Sequence, residues 1–489
     1  MSIEKILQAI SVVLLVLMVS VADAKDYFID SQEKFDAINS VTLLPGDAIL
    51  LKKGMVFTGM LEPKGSGDEN AVVRVSTYGE GARPKIEAQG KNMAGLFLKD
   101  LSYVEVDGLE ITNTDGSDKD QGTLFGIYVL AEGEEKVYKH VYIGNCFIHD
   151  VNGKVAGKRR GGIHVHMKKL KKSIFDDLRI TNNRIVNVGG VGIGNTSPAA
   201  QVEFHGSETK TFYLWTNVYV AGNYIDHTGR NSIIARCSKD AIYEHNILAN
   251  SSRYDTGHSI FCFNTDGIKI QYNEAYGNIG EGGKDRGGFD ADYNCVDTYI
   301  QYNYSHDNMW FCGIMKRPNR NVVIRYNISQ NETEGIYFYG FNSSKDAENI
   351  HIYNNTHYTK KGLKVSVFPE GRTPLNTLFE NNIFYFEDKA QWGRGEKKSI
   401  NTRFNNNLYY GIEPHPSDQK AITVDPKFKR PGKAGTDIDL KTMKDLLGYE
   451  LSNSSKALGS GVQIDNNGGV DFFKNKLEAN RPGIGAVGN

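Results

Sequence analysis

Three short stretches of the chain follow one pattern: "IQYNYSH" at 300–306, "IRYNISQ" at 324–330 and "IYNNTHY" at 352–358. In each, an apolar segment precedes an Asn and another apolar segment follows it. Asn occurs in this setting at ten places: Asn145, Asn183, Asn223, Asn246, Asn273, Asn303, Asn327, Asn355, Asn382 and Asn407. Successive intervals between these positions run from 23 to 40 residues. A repeat of this length indicates a solenoid of stacked coils.

The segments on either side of each Asn favour strands over helices. Their apolar residues alternate with a period of two, and Gly-rich turns separate them. A side-chain amide at one corner of every coil can bond the next coil and tolerate a left-handed turn. The pattern resembles that of right-handed parallel β-helices, the architecture of pectate lyases and other secreted polysaccharide-active enzymes. We therefore predict an all-β chain folded as a right-handed parallel β-helix.

Both ends of the chain are expected to differ from the repeat. Residues 1–24 carry a Lys, an apolar run and a small-x-small site, which predict a secretory signal peptide and a secreted or periplasmic protein. Residues 25–489 would then form a single β-helix domain. Phe35 and Ile38 have helical spacing and predict an N-terminal helical cap over the open first coil. Residues 409–460 lose the Asn pattern, so we expect irregular or decorated final coils there.

The composition limits the classes of partner. The formal net charge of −1 argues against nucleic acid, which requires a basic surface. The apolar run near the start is too short to favour a membrane span. We also expect the protein to be a monomer. The five cysteines lie in apolar strand-like segments without zinc-type spacing, which favours buried free thiols.

A second alignment compares the strands that follow Gly-rich turns, such as "GGIHVHM", "NSIIARC", "HSIFCFN", "GGFDADY" and "EGIYFYG". If Ile163, Ile233, Ile260, Phe289 and Ile336 point inward, the alternate residues point outward and stack about 4.8 Å apart between coils. The predicted outward residues include His164, His166, Arg236, Phe263, Asp290, Asp292, Tyr337 and Tyr339. A face rich in rings, cations and carboxylates is typical of a sugar-binding groove.

Further charged residues lie in turns beside this face. Lys316 and Arg317 follow the next strand, and His258 precedes "SIFCFN". Together with Arg236, these cations favour an anionic ligand. We therefore expect an acidic substrate, a uronate-containing and possibly sulfated polysaccharide or oligosaccharide.

The preferred chemistry on this groove is β-elimination at a uronic acid. Cations must neutralise the carboxylate, a base must take the C5 proton, and an acid must assist the leaving oxygen. Arg236, Lys316 and Arg317 could neutralise the charge. His166 or Tyr339 could be the base, and Tyr339 or His164 the acid. The leaving group could be a sugar, as in polysaccharide lyases, or water.

Two other functions remain open from the residues alone. Asp290 and Asp292, at alternate positions of one strand, have Cα atoms roughly 6.6 to 6.8 Å apart, which could suit the acid pair of a glycoside hydrolase. A non-catalytic glycan-binding solenoid would keep the groove without needing these acids. No cofactor is expected for elimination, although Asp290 and Asp292 could hold Ca²⁺ if further oxygen ligands were present.

Overall fold

The computed structural model describes residues 24–168, 173–198, 213–280, 283, 285–315, 319–340, 347–369, 374–393, 399–478 and 480–487. Lys316 and Arg317 and nearly all of the predicted signal peptide lie outside the described residues. The described chain is all-β and forms a right-handed parallel β-helix, in which each full coil contributes one strand to each of three sheets. This result confirms the predicted fold class.

Sheets 1 and 2 run along most of the solenoid. In the described residues, sheet 1 has fourteen strands: β1 Asp26–Ile29, β2 Ala48–Lys52, β4 Val73–Tyr78, β7 Val104–Asp107, β10 Val137–Gly144, β13 Ile174–Thr181, β16 Thr216–Ala221, β19 Ile242–Glu244, β22 Lys269–Gln271, β25 Val296–Gln301, β28 Asn319–Arg325, β31 Ala347–Tyr353, β33 Thr377–Glu380 and β35 Arg403–Asn405. Sheet 2 has thirteen described strands: β3 Val56–Thr58, β5 Lys85–Glu87, β8 Glu110–Asn113, β11 Phe147–Val151, β14 Arg184–Val188, β17 Tyr224–Thr228, β20 Ile247–Ala249, β23 Glu274–Tyr276, β26 Tyr304–His306, β29 Ile328–Gln330, β32 Thr356–Thr359, β34 Ile383–Phe386 and β36 Leu408–Tyr410.

Sheet 3 is shorter and occupies the middle coils. Its nine described strands are β6 Ala94–Lys99, β9 Phe125–Ala131, β12 Gly161–Met167, β15 Val191–Thr196, β18 Ile233–Arg236, β21 Ile260–Phe263, β24 Gly287–Ala291, β27 Trp310–Met315 and β30 Gly335–Gly340. The inward side chains of all three sheets merge into one continuous apolar core. Because strands pair in parallel at fixed register, equivalent side chains of successive coils stack in rows.

A buried row of Asn side chains, the Asn ladder, runs along the corner between sheets 1 and 2. At a typical step, the backbone N–H and the side-chain amide of Asn273 both donate to Asn303 Oδ1, at 2.9 and 3.1 Å. Asn303 Nδ2 donates in turn to Ile270 O and to Asn327 Oδ1. The ladder ends on a carboxylate, because Asn407 Nδ2 donates to Asp418 Oδ2 at 2.9 Å. The predicted stacking of the Asn positions is therefore confirmed.

Two details of the ladder differ from the sequence interpretation. Asn145 is not a member, because Cys146 N–H occupies the equivalent position and donates to Asn183 Oδ1 at 3.0 Å. The left-handed backbone also belongs to the residue before the ladder Asn: Tyr302 and Tyr326 have φ of 57° and 51°. The turn therefore leaves the Asn itself free to aim its amide along the ladder.

Helix α1, Gln32–Ile38, lies at the N-terminal end of the solenoid. Ser31 caps it by accepting a hydrogen bond from Lys34 N–H, and its buried residues are Phe35 and Ile38. Phe35 stacks on Phe57 of β3 with ring centroids 5.0 Å apart. The helix thus lies over the first coil. Its role as a cap stays a prediction.

The segment after β36 folds back along the outside of sheet 2. It contains a short 3₁₀ helix, Lys444–Tyr449. Tyr449 donates its hydroxyl to Gln330 Oε1 at 2.8 Å, and Ile438 N–H donates to the buried Glu274 at 2.6 Å. Apolar residues of this segment pack on outward residues of β26, β29 and β32. It therefore covers the later coils of sheet 2.

Two expectations about side chains and helices can be checked on the described residues. All five cysteines are buried and unpaired, as the sequence indicated. No helix in the described ranges combines the length and the apolar character that crossing a membrane would require.

Candidate active site

The outward face of sheet 3 forms the candidate groove. Ile233, Ile260 and Phe289 are paired in register and lie in the core, as predicted. The register places Arg236 beside Phe263 on the opposite, outward face, and Phe261 beside Asp290. Asp292 follows β24 and continues the outward alternation. The groove residues predicted for these middle strands therefore lie on one surface.

Tyr337 and Tyr339 do not belong to this surface, and their prediction as outward residues was wrong. They pair with Cys312 and Ile314, and both are fully buried in the core. Tyr337 OH lies 2.8 Å from the buried His357 Nε2. The outward residue between them is Phe338, whose ring stacks on Trp310 at 4.9 Å.

The error has a local cause at the start of the strands. Both Gly288 and Phe289 of β24 face the interior, and a Cβ added to Gly288 would lie 2.8 Å from Ser305 Oγ. In β30 the equivalent first position is Ile336, which is also in the core. The sequence alignment matched Ile336 with Phe289, whereas in the structure Ile336 corresponds to Gly288. This shift of one residue inverted the predicted direction of every later side chain in β30.

His164 and His166 lie on the outward face but far from the acids. Their strand, β12, is four strand spacings from β24, which is roughly 19 Å at about 4.8 Å per spacing. His164 is buried with Nε2 3.0 Å from Thr196 Oγ1, and burial lowers its pKa to about 3. His166 Nδ1 lies 2.7 Å from Tyr128 OH, and burial lowers its pKa too. The structure does not bring these imidazoles to Asp292.

Three carboxylates meet at β24, where Asp285, Asp290 and Asp292 form what we call the acid cluster. His258, from the turn before β21, lies among them. Its Nδ1 is 2.7 Å from Asp285 Oδ1 and 3.3 Å from Asp290 Oδ2. The ring lies against two glycines: a Cβ on Gly313 would come within 2.6 Å of Nε2, and one on Gly287 would collide with Cδ2. These glycines therefore make room for the imidazole.

The hydrogen bonding of this cluster is incomplete. His258 Nδ1 and Asp285 Oδ1 contact each other, but among the described residues the buried atoms His258 Nε2 and Asp290 Oδ1 make no hydrogen bond. His258 and Asp290 side chains are 1% and 3% exposed, whereas that of Asp285 is 38% exposed. Buried polar groups are nearly always paired, so this arrangement is typical of a functional site.

The same three residues are the candidates for a metal site. Ligand atoms of His258, Asp285 and Asp290 all lie within 4.8 Å of one another. The predicted Ca²⁺ site on Asp290 and Asp292 fits poorly, because Asp292 is outside this set and Ca²⁺ requires six to eight oxygen ligands.

The acids of the cluster have opposite tendencies to ionise. Burial, reinforced by the charge of Asp285, raises the pKa of Asp292 to about 7. Burial also raises the pKa of Asp290 well above its usual range, and the charges of Asp292 and Asp285 act in the same direction. Burial alone would raise the pKa of Asp285, but His258 and Lys158 outweigh it and lower that pKa. A protonated Asp292 and an ionised Asp285 can therefore coexist near neutral pH.

Cations flank the acid cluster on its N-terminal side. Lys158 Nζ lies 4.8 Å from the ring centre of Phe261, and the Arg236 guanidinium lies 5.8 Å from that of Phe263. Arg230 is paired with Asp255 nearby. The candidate residues chosen from the sequence included neither Lys158 nor Asp285. The runs "GKRR" at 157–160 and "DRGG" at 285–288, each just before a strand of the groove, were the available signals.

The fold and this groove define a right-handed parallel β-helix of the kind found in carbohydrate-active enzymes. No family model matches the chain. Among curated proteins, it is similar to a lacto-N-biosidase from Bifidobacterium longum subsp. longum, with 28% identity over 554 aligned positions. The alignment covers 91% of this chain and 34% of that protein, so the chain spans about a third of the relative's length.

Solved structures show the same fold. The GH136 lacto-N-biosidase from Eubacterium ramulus superposes with a TM-score of 0.60 at 17% identity, over 83% of this chain and 70% of that chain. The structure above is of a selenomethionine derivative, and that of the native protein gives a TM-score of 0.57 at 16% identity, over 78% and 68% of the two chains. At these identities the similarity establishes the architecture alone.

Proposed function

We propose that this chain is a glycoside hydrolase that cleaves glycosidic bonds of an oligosaccharide bound along sheet 3. The observation that carries the proposal is the pairing of Asp285 and Asp292 in one groove with pKa values moved in opposite directions. Pairs of carboxyl groups separated in this way are the mark of acid–base assignments in such enzymes. The similarity to a lacto-N-biosidase over nearly the whole chain supports the same reaction class.

The two carboxyl groups would divide the reaction between them. Glycoside hydrolysis needs one protonated carboxyl to donate to the leaving oxygen and one carboxylate to attack the anomeric carbon or to activate water. Asp292 keeps its proton up to a pH of about 7. Of the two acids that contact His258, Asp285 is the more exposed to solvent. Its lowered pKa keeps its carboxylate charged.

His258 and Asp290 would act as positioning residues. His258 contacts both Asp285 and Asp290, and Asp290 is almost wholly enclosed. Burial raises the pKa of Asp290 far enough that a neutral carboxyl is favoured, which makes it a poor nucleophile. Its position behind His258 suits a role in orienting the imidazole, and through it Asp285.

Hydrolysis is favoured over elimination by where the candidate bases and acids lie. Tyr339 points into the core, and His164 and His166 are four strands from the acids. The residues that the sequence offered as base and acid for elimination therefore lie away from Asp292. The carboxyl pair needed for hydrolysis is already present.

The test is the mass balance of the products. Purified enzyme is incubated with a panel of neutral and acidic oligosaccharides, and the products are separated and weighed by mass spectrometry. We expect the masses of the two products to sum to substrate plus one water, with no absorbance of an unsaturated uronate. Products whose masses sum to the substrate alone, with that absorbance, would instead establish elimination.

A further inference from the structure

Two cations in the groove, Lys158 and Arg236, form no ion pair with a described residue, although the charge of Asp292 acts on both. Lys158 Nζ rests over the Phe261 ring, and Arg236 donates to the backbone oxygen of Asn195 at 3.0 Å. No carboxylate in the described ranges lies within ion-pair distance of either side chain. Lys154, four residues earlier on the same turn, shows the usual alternative, because it is exposed and paired with Asp118.

Leaving these two cations unpaired has a cost, because they are largely removed from solvent. Burial lowers the pKa of Lys158, and the neighbouring Arg230 adds to the effect. Burial also lowers the pKa of Arg236. A desolvated cation is normally retained with a counter-charge, and at a binding site the ligand can supply it.

The order of residues along the solenoid places the cations relative to the reacting bond. Arg236 of β18 pairs with Phe263 of β21, and Asp292, which directly follows β24, donates its N–H to Cys262 O on the coil of Phe263. Arg236 and Asp292 are therefore roughly 10 Å apart along the stack, at about 4.8 Å per strand. Phe263 lies between them, is partly buried, and offers a ring on which a sugar can stack.

We propose that the substrate carries a carboxylate or sulfate group, which Lys158 and Arg236 bind on the N-terminal side of the acid cluster. A sugar ring stacks on Phe263, and the bond to be cleaved lies over Asp285 and Asp292. This inference rests on the proposed hydrolase function and adds the substrate class to it. The two cations match an anionic group in charge, and the fork of Arg236 suits a planar carboxylate or a sulfate.

Binding to a variant that cannot turn over separates recognition from chemistry. The full chain with Asp292→Asn is titrated calorimetrically with sulfated, uronate-containing oligosaccharides, with their carboxyl-reduced forms and with their desulfated forms. We expect removal of one of the two anionic groups to weaken binding at least roughly tenfold. The form that loses affinity identifies the group bound.

A second substitution connects this preference to the named residues. Lys158→Met in the same background should weaken binding of the native oligosaccharides to a similar extent, with little effect on the form that lacks the recognised group. Lys154→Met is the matched control and should keep the full preference. Equal binding of all three forms, binding of none of them, or a preference that survives Lys158→Met would overturn the inference.

The result is independent of the reaction type. Products that add a water, formed equally well from neutral and acidic substrates, would uphold the hydrolase and reject the anionic group. Unsaturated products together with a charge preference that depends on Lys158 would reject the hydrolase and uphold the anionic group.

Discussion

Two buried polar regions of this solenoid differ in how completely their hydrogen bonds are satisfied. In the Asn ladder, Asn303 uses both amide hydrogens and accepts two bonds, and the pattern repeats to Asp418. In the acid cluster, His258 and Asp290 are as deeply buried but keep atoms without a hydrogen bond among the described residues. The ladder is a structural device, whereas the cluster keeps capacity for a ligand.

The largest expected effect comes from neutralising the acid cluster. Asp292→Asn and Asp285→Asn should each reduce kcat/KM by roughly 10²- to 10⁴-fold, because each removes a group that transfers a proton or attacks in the transition state. Thermal stability should change little for Asp292→Asn, because the neutral amide has nearly the shape of the protonated carboxyl that it replaces beside Asp285. Kinetics and calorimetric melting of the same preparations measure both effects.

The control for these variants is Asp240→Asn. Asp240 is exposed and has a left-handed backbone with φ of 52°, which Asn tolerates. Asp240→Asn should change neither kcat/KM nor the thermal stability. Full activity in both Asp285→Asn and Asp292→Asn would contradict the functional role given to the acid cluster in contrast to the Asn ladder.

The ladder should respond in the opposite way. Asn303→Ala removes the acceptor of two Asn273 donors and leaves buried groups unpaired. We expect it to lower the free energy of unfolding by about 3 kcal/mol, with unchanged kcat/KM for the folded fraction. Denaturant titration measures this loss.

An exposed Asn row supplies the comparison for Asn303→Ala. Asn321 donates to Asp297 and accepts from Asn349 at a solvent-facing position. Asn321→Gly, which keeps the left-handed backbone, should cost less than about 1 kcal/mol. Equal losses at Asn303 and Asn321 would show that burial does not distinguish the two rows.

The Asn ladder could be predicted well from the sequence and the acid cluster poorly, for physical reasons. A coil must return to the same corner after each turn, so the Asn positions and the alternating apolar residues are visible as a period. The register of β30 was mispredicted because Ile336 fills an inward position that Gly288 occupies without a side chain. Lys158 and Asp285 come from turns of different coils, whose lengths no period describes. Their meeting therefore could be seen only in the folded chain.

A smaller effect should appear in the pH dependence of kcat/KM. Because Asp292 must be protonated to donate, activity should decline about tenfold per unit once the pH exceeds about 7. On the acidic side, activity should persist below the usual range of an Asp, because the pKa of Asp285 is lowered. A profile flat between pH 6 and 9, measured with a soluble oligosaccharide, would remove Asp292 from the role of acid.

The smallest expected effect concerns His258. His258→Asn takes away one of the charges that lower the pKa of Asp285, so the acidic limb of the profile should move to higher pH. The alkaline limb, set by Asp292, should stay in place. A merely structural role for His258 would lower activity at every pH and shift neither limb.

The most direct measurement of the central claim follows oxygen from water into product. The reaction is run in water enriched in the heavy oxygen isotope and stopped before sugar hydroxyls exchange, and the new reducing end is examined by mass spectrometry. If Asp285 and Asp292 perform hydrolysis, one heavy oxygen should appear at that anomeric carbon, and the Asp292→Asn variant should incorporate it roughly 10²- to 10⁴-fold more slowly. A new reducing end that keeps its original oxygen would contradict the account, because only cleavage without water leaves that bond intact.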